Sequence, residues 1–361
     1  MRVGRVWTGL LLLLLLAGAA GSVTAAPHVP RDSIDALDRQ TGVLLERLAQ
    51  GRMRQARALA EQMVARHPDY RLGQLLHAEL LSIQALDAVR PLSAADWPEE
   101  LVDLLLEART RLAIARQPER QSADAPLPRA LVQLGHDITG VLMVDLSNSE
   151  LRHYRVHAGH ATLASRHYVS SGSAGFGKWR EGDRRTPLGV YRIEALHDDA
   201  VLPELYGAAA LTLDYPNALD RQLGRTGSGI WLHGVPRDHP SRAPWSSEGC
   251  VTMSNEHLMG LIDGLDRAGT IVVLSDRIDD VPGATRAALA QDYRRAFDVG
   301  TDSTLIEVPT RGAVTHVAHL AGAAPTDAAP ATLANAQAPA PTWRFLPVNP
   351  KATDSPPPPS L

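Results

Sequence analysis

The hydrophobic pattern of this chain changes period across a polar, proline-bearing stretch, Pro118–Pro128, which contains Gln121-Ser122-Ala123-Asp124-Ala125-Pro126. Upstream, Ile34, Leu37, Leu44, Leu45 and Leu48 fall on one helical stripe and Ala56, Leu59, Ala60, Met63 and Val64 on the next; downstream, the period drops to two. A 3.6-residue period seats apolar side chains on one face of a helix, and a period of two seats them on one face of a sheet. No single element type serves both halves, so the fold class predicted is α+β. The expected organisation is a helical region over 31–117, a linker over 118–134, a β-rich domain over 135–277, and an extension over 278–361.

Within the helical region, Gly51-Arg52-Met53 to His67-Pro68-Asp69-Tyr70, followed by Leu72, Leu75, Leu76 and Leu80, resembles one tetratricopeptide-like hairpin. A solenoid needs about three such units to cover its own faces. With one legible, the expectation is a small tetratricopeptide-like bundle completed by Leu101–Ile114. In the second half, Thr139–Leu146 and Leu151–Val156 read as strands around the turn Ser147-Asn148-Ser149-Glu150. Further strands are predicted at His167–Ser170, Gly189–Glu194, Gly229–His233 and Thr270–Ser275, with a helix capped by Asn255. Beyond Asp276, one helix over Thr285–Phe297 gives way to Ala-, Pro- and Thr-rich sequence whose composition predicts disorder, with Trp343-Arg344-Phe345-Leu346 as a short docking element.

Residues 1–26 carry Arg2 and Arg5, the apolar run Leu10–Leu16, and the small residues Val23-Thr24-Ala25-Ala26, the pattern of a cleaved secretory signal. The expected location is therefore the periplasm or cell envelope. Removing that segment takes the formal net charge from −4 to −6, which argues against a nucleic-acid partner.

An exported chain with a single cysteine cannot form an internal disulfide; Cys250 is an accident, an intermolecular bridge or a thiol kept for chemistry. A thiol attacks carbonyls as thiolate and needs a base. His233, seventeen residues upstream at the end of Gly229-Ile230-Trp231-Leu232, is the candidate base. Gly249 allows close approach of backbone and substrate, and the amides of Gly249 and Cys250 are candidate oxyanion donors, with Ser247 bracing the loop. Arg237, Arg242 and His239, in the intervening loop, are candidate substrate-binding residues. Asp183 and Thr186-Pro187 read as turn-closing, and Lys178, Arg184 and Arg185 as an exposed basic loop able to attract carboxylates. No metal is expected: His153, His157 and His160 do not converge if they share a strand.

Taken in order, Tyr168-Val169-Ser170-Ser171-Gly172, Gly182-Asp183-Arg184-Arg185-Thr186-Pro187-Leu188-Gly189-Val190-Tyr191, His233-Gly234 and Ser247-Glu248-Gly249-Cys250-Val251 resemble the L,D-transpeptidase (YkuD-like) family. The resemblance spans about Gly140–Ser275, including Val144-Asp145-Leu146. It implies a β-rich catalytic domain with Cys250 as nucleophile, His233 as general base and the Gly234 carbonyl orienting the imidazole. The family acts on peptidoglycan stem peptides without cofactor: it attacks the carbonyl of the third residue of a tetrapeptide, expels the terminal D-Ala and forms a thioester. The acceptor, a stem amine giving a 3→3 crosslink, a protein lysine, a D-amino acid or water, stays open. So does a scaffold role, in which the helical region recruits an envelope protein partner. Glu248 and Thr252 depart from the pattern, which in many members has a basic residue or histidine at the first position and an arginine at the second.

Overall fold

The computed structural model describes residues 31–68, 70–87, 99–117, 125–237, 242–310, 316–321 and 343–348. The expected signal segment lies outside them, as does His239. Among the described residues no helix is long and apolar enough to cross a membrane.

The first part is helical: α1 (Arg31–Ala49), α2 (Met53–Arg66), α3 (Arg71–Asp87) and α4 (Glu99–Ala115). Here α1 packs on α2 and α4, and α3 packs on the same two, so the four close into a bundle. Its core joins Leu44, Leu45, Ala60, Met63, Leu76, Leu80 and Ala108. The apolar stripes demand this arrangement, because each helix has a face that water would otherwise meet.

The second part begins earlier than the sequence suggests. Strands β1 (Leu127–Pro128) and β2 (Leu131–Gln133) stand in the stretch expected to be linker. They precede β3 (Gly140–Asp145), β4 (Glu150–His157), β5 (His160–Tyr168), β6 (Ser171–Gly172), β7 (Gly189–Asp198) and β8 (Ala209–Leu213). After α5 (Ala218–Gln222) come β9 (Trp231–His233), β10 (Trp245–Ser247) and β11 (Val251–Thr252), then α6 (Asn255–Ile262), β12 (Thr270–Ser275) and β13 (Asp280–Val281). An eight-stranded mixed sheet runs in the order β11-β9-β8-β7-β12-β3-β4-β5. Its β3–β12 and β9–β11 pairs are parallel.

All residues of β3 and β12 are buried. Alternation sends Leu142, Val144, Val272 and Leu274 into one core with Tyr191, Leu232, Val251, Met253 and Leu258, beside the site described below. The intervening Val141, Met143, Ile271 and Val273 enter a second core on the opposite face. A strand that is apolar on both faces requires two covering layers.

The C-terminal extension supplies the second layer and corrects the expectation of disorder beyond one helix. Helix α7 (Gly283–Phe297) is followed by β14 (Thr304–Glu307), β15 (His316–Leu320) and β16 (Arg344–Pro347), which form a sheet in the order β16-β15-β14-β2. Ile306, Ala318, Leu320 and Trp343 face the main sheet, while Leu305, Val317 and Val132 meet Ala290 of α7. The expected docking element around Trp343 is a strand. Burying a residue such as Val141 or Val273 between the two sheets contributes roughly 1.5–3 kcal/mol.

Candidate active site

The parallel pair β9–β11 places the two candidate catalytic side chains. Leu232 stands opposite Val251 and His233 opposite Thr252. Leu232 and Val251 point into the first core, so the alternating positions His233 and Cys250 belong to the other face. The site thus stands at the sheet edge, immediately before β11 begins.

His233 is held in one tautomer. Its Nδ1 lies 2.7 Å from the Gly234 carbonyl, which can only accept, so Nδ1 carries the proton and Nε2 keeps its lone pair. The ring meets Tyr206 edge-on at 5.0 Å between centroids. Burial pushes its pKa down to about 4; the Gly234 and Tyr206 carbonyls work against this and the Arg242 charge reinforces it. The imidazole is therefore neutral at neutral pH and able to accept a proton.

Asn255 fixes the chain beyond His233. The sequence suggests it as a helix cap, but Ser254 caps α6 by accepting from the His257 amide. The Asn255 side chain instead accepts from the amides of Ala208 and Val235 and donates to the Val235 carbonyl at 2.8 Å. A Cβ on Gly234 would stand 2.0 Å from Asn255 Oδ1, so glycine is required there by space.

Cys250 Sγ donates to the Gly229 carbonyl at 3.4 Å. Burial pushes the thiol pKa up, opposed by a backbone hydrogen bond from Trp231 and by the charges of Arg242 and Lys178. Thiol and imidazole are thus both uncharged at neutral pH.

The loop before Cys250 is held from several sides. Ser247 Oγ donates to the Cys250 carbonyl at 2.6 Å and accepts from the Gly249 amide at 3.1 Å, the bracing role expected of it. The second bond occupies the Gly249 amide, which was expected to be an oxyanion donor. Gly249 has φ +128°, and a Cβ there would lie 2.9 Å from the Arg185 carbonyl. Thr186 Oγ1 donates to the Gly249 carbonyl and accepts from the Gly172 amide, both at 2.9 Å. Ser170 exchanges two backbone hydrogen bonds with Thr252, and its hydroxyl donates to the Ala243 carbonyl. The Ser170-Ser171-Gly172 and Thr186-Pro187 strings therefore both act on the cysteine loop, a link that only the folded chain reveals.

The basic residues divide. Arg242 is half-buried, and its charge acts on both Cys250 and His233. Arg237 instead ion-pairs with Asp199 and Glu204 at the surface. Lys178 corrects the expectation of an exposed basic loop: it is buried and donates to Asp183 at 2.9 Å. Burial works against the Asp183 carboxylate, but Lys178 and the amides of Trp179, Arg180 and Arg185 together hold its pKa below the ordinary range. Arg184 pairs with Glu248 at 3.3 Å, both exposed, and Arg185 donates to the Phe176 carbonyl. His157 and His160 face each other across the β4–β5 turn, on separate strands rather than one. Among the described residues no group of three or more His, Cys, Asp or Glu could hold a metal ion.

Residues 139–274 match the family model of the YkuD L,D-transpeptidase catalytic domain. This segment is a YkuD-type L,D-transpeptidase catalytic domain. Among solved structures, Bd1075 of Bdellovibrio bacteriovorus is 27% identical over 48% of this chain and 62% of that one, with TM-score 0.42. The helical cell shape determining protein Pgp2 of Campylobacter jejuni is 18% identical over 61% and 92%, with TM-score 0.45. An L,D-transpeptidase of Mycobacterium smegmatis is 14% identical over 38% and 58%, with TM-score 0.24. The chain thus spans less than two thirds of the length of Bd1075. No curated protein sequence matches it.

Proposed function

We propose that the protein is a cysteine L,D-transpeptidase of the cell envelope acting on peptidoglycan stem peptides. The observation that carries this reading is a thiol on the edge of β11 beside a buried histidine on β9 whose Nδ1 is committed to the Gly234 carbonyl, within a transpeptidase domain. Nε2 of His233 takes the Cys250 proton as sulfur attacks the carbonyl of the third stem residue. With the Gly249 amide occupied by Ser247, the amide of Cys250 itself serves the developing oxyanion. Collapse expels the terminal D-Ala amine, which receives the proton from His233, and leaves a thioester. An acceptor amine then gives up a proton to His233, attacks the thioester and restores the thiol. Arg242 supplies positive charge beside the nucleophile, where an incoming stem carboxylate would be drawn.

Intact-mass measurement after incubation with a tetrapeptide stem or a carbapenem tests the reading. A mass increase on wild type that is absent in Cys250→Ala is expected; no adduct with either reagent on folded wild type removes the enzyme reading. Adding an acceptor amine separates transfer from hydrolysis, since water as sole acceptor yields only tripeptide and D-Ala.

A further inference from the structure

Helix α4 of the helical bundle reaches the cysteine loop through a buried polar chain. Glu107 is 1% exposed, and its two carboxylate oxygens are divided between partners. Oε1 accepts from Arg111 Nε at 2.9 Å, one helical turn on, and Oε2 accepts from the backbone amide of Arg242 at 3.0 Å. The Arg111 guanidinium lies over the Tyr168 ring, 4.8 Å from its centroid. The Tyr168 hydroxyl in turn donates to the carbonyl of Arg242 at 2.6 Å. Both peptide groups flanking the Arg242 Cα are therefore gripped, one by the bundle and one by β5. Behind Arg111, the Tyr70 hydroxyl donates to Asp38 and meets Thr41, tying the grip to α1.

A buried carboxylate is costly unless paired and hydrogen-bonded. Here one carboxylate oxygen takes its hydrogen bond from an amide of the other domain. From these contacts we infer that Glu107 is a positioning residue of the active site. The helical bundle, through Glu107 and Arg111, sets where the Arg242 charge stands relative to Cys250 and His233, and so sets the reactivity of the thiol. The inference deepens the catalytic reading and rests on it for its consequence in turnover. The other charges acting on the sulfur come from a separate element, Lys178 with its partner Asp183, while the exposed Glu248–Arg184 pair lies on the cysteine loop and its neighbour.

Cys250 is the only cysteine in the chain, so alkylation by iodoacetamide reports on this one thiol without requiring turnover. Its rate against pH is compared in the full-length protein for wild type, Glu107→Ala, Glu107→Gln and Tyr168→Phe, alongside melting temperature and the rate of carbapenem acylation. Glu107→Ala is expected to move the midpoint of alkylation upward by roughly half a pH unit and to slow acylation severalfold, because the guanidinium is no longer held beside the sulfur. Glu107→Gln keeps an acceptor for the Arg242 amide and falls between. Tyr168→Phe, which removes a single hydroxyl, shifts the profile in the same direction and decides the matter if the Glu107 variants do not fold. Profiles that superimpose on wild type in folded variants overturn the inference. Failure of the catalytic reading looks different: wild type would alkylate yet form no adduct with carbapenem or stem peptide, and the alkylation comparison would still stand.

Discussion

Thr186 shows how much of the cysteine loop rests on a single fully buried hydroxyl. Its hydroxyl is buried between the Gly172 amide and the Gly249 carbonyl, one bond given and one received. Thr186→Val keeps the shape and strands both partners, each at about 1–3 kcal/mol. We expect a lower melting temperature and slower acylation of Cys250 with the fold retained; unchanged acylation would mean the loop holds itself through Ser247 alone. Cys250 and His233 are legible in the sequence as candidates because each stands in a short string whose chemistry is local: a thiol after a glycine, and an imidazole at a strand end before one. It did not expose Asn255 or Glu107. Their partners lie 20 and 135 residues away, and only the folded chain brings them together.

The C-terminal strands teach the same lesson for whole elements. β14, β15 and β16 have four or five residues each, too short for a period of two to register, and the Ala-, Pro- and Thr-rich sequence around them argues for disorder. The signal that could have located them lies elsewhere, in β3 and β12. Strands with four consecutive apolar residues, Val141–Val144 and Ile271–Leu274, must be covered on both faces, and the residues before the tail provide only one cover. Trp343 closes the second layer at 7% exposed, with the Arg192 guanidinium 5.9 Å from its ring centroid. Trp343→Ala should cost about 3 kcal/mol or more, measured by denaturant unfolding. A variant as stable as wild type would show that the Trp343 ring contributes nothing to this core. Within β15, His319 is buried, and among the described residues neither of its ring nitrogens has a hydrogen-bond partner. His319→Leu is accordingly expected to stabilise the protein by about 1 kcal/mol, and a loss of stability instead would reveal a polar partner for the ring.

Across the whole molecule, buried histidine and buried aspartate respond to acid with opposite signs. His233 has its pKa pushed down to about 4. As pH falls below about 6.5, the unfolded chain takes up a proton there that the folded chain refuses. Folding therefore loses stability through this group between about 6.5 and 4. Asp214 behaves in reverse. Burial raises its pKa to about 6, against the pull of the Arg192 amide and guanidinium. The folded chain takes its proton first as pH falls below 6, and stability is gained until the unfolded carboxylate titrates near its ordinary value of 3.8. At pH 5 each contribution is on the order of 1–2 kcal/mol, and the two largely offset. Asp214→Asn preserves the acceptor for the Arg192 amide, which donates to Oδ1 at 2.8 Å, and removes only the titration. Thermal unfolding at pH 7.5 and pH 5 should then separate two variants. Asp214→Asn loses more stability on acidification than wild type, whereas His233→Gln loses less. Parallel behaviour of both variants and wild type would mean that neither group keeps its buried protonation state in the folded chain, and that acid sensitivity is set at the surface instead.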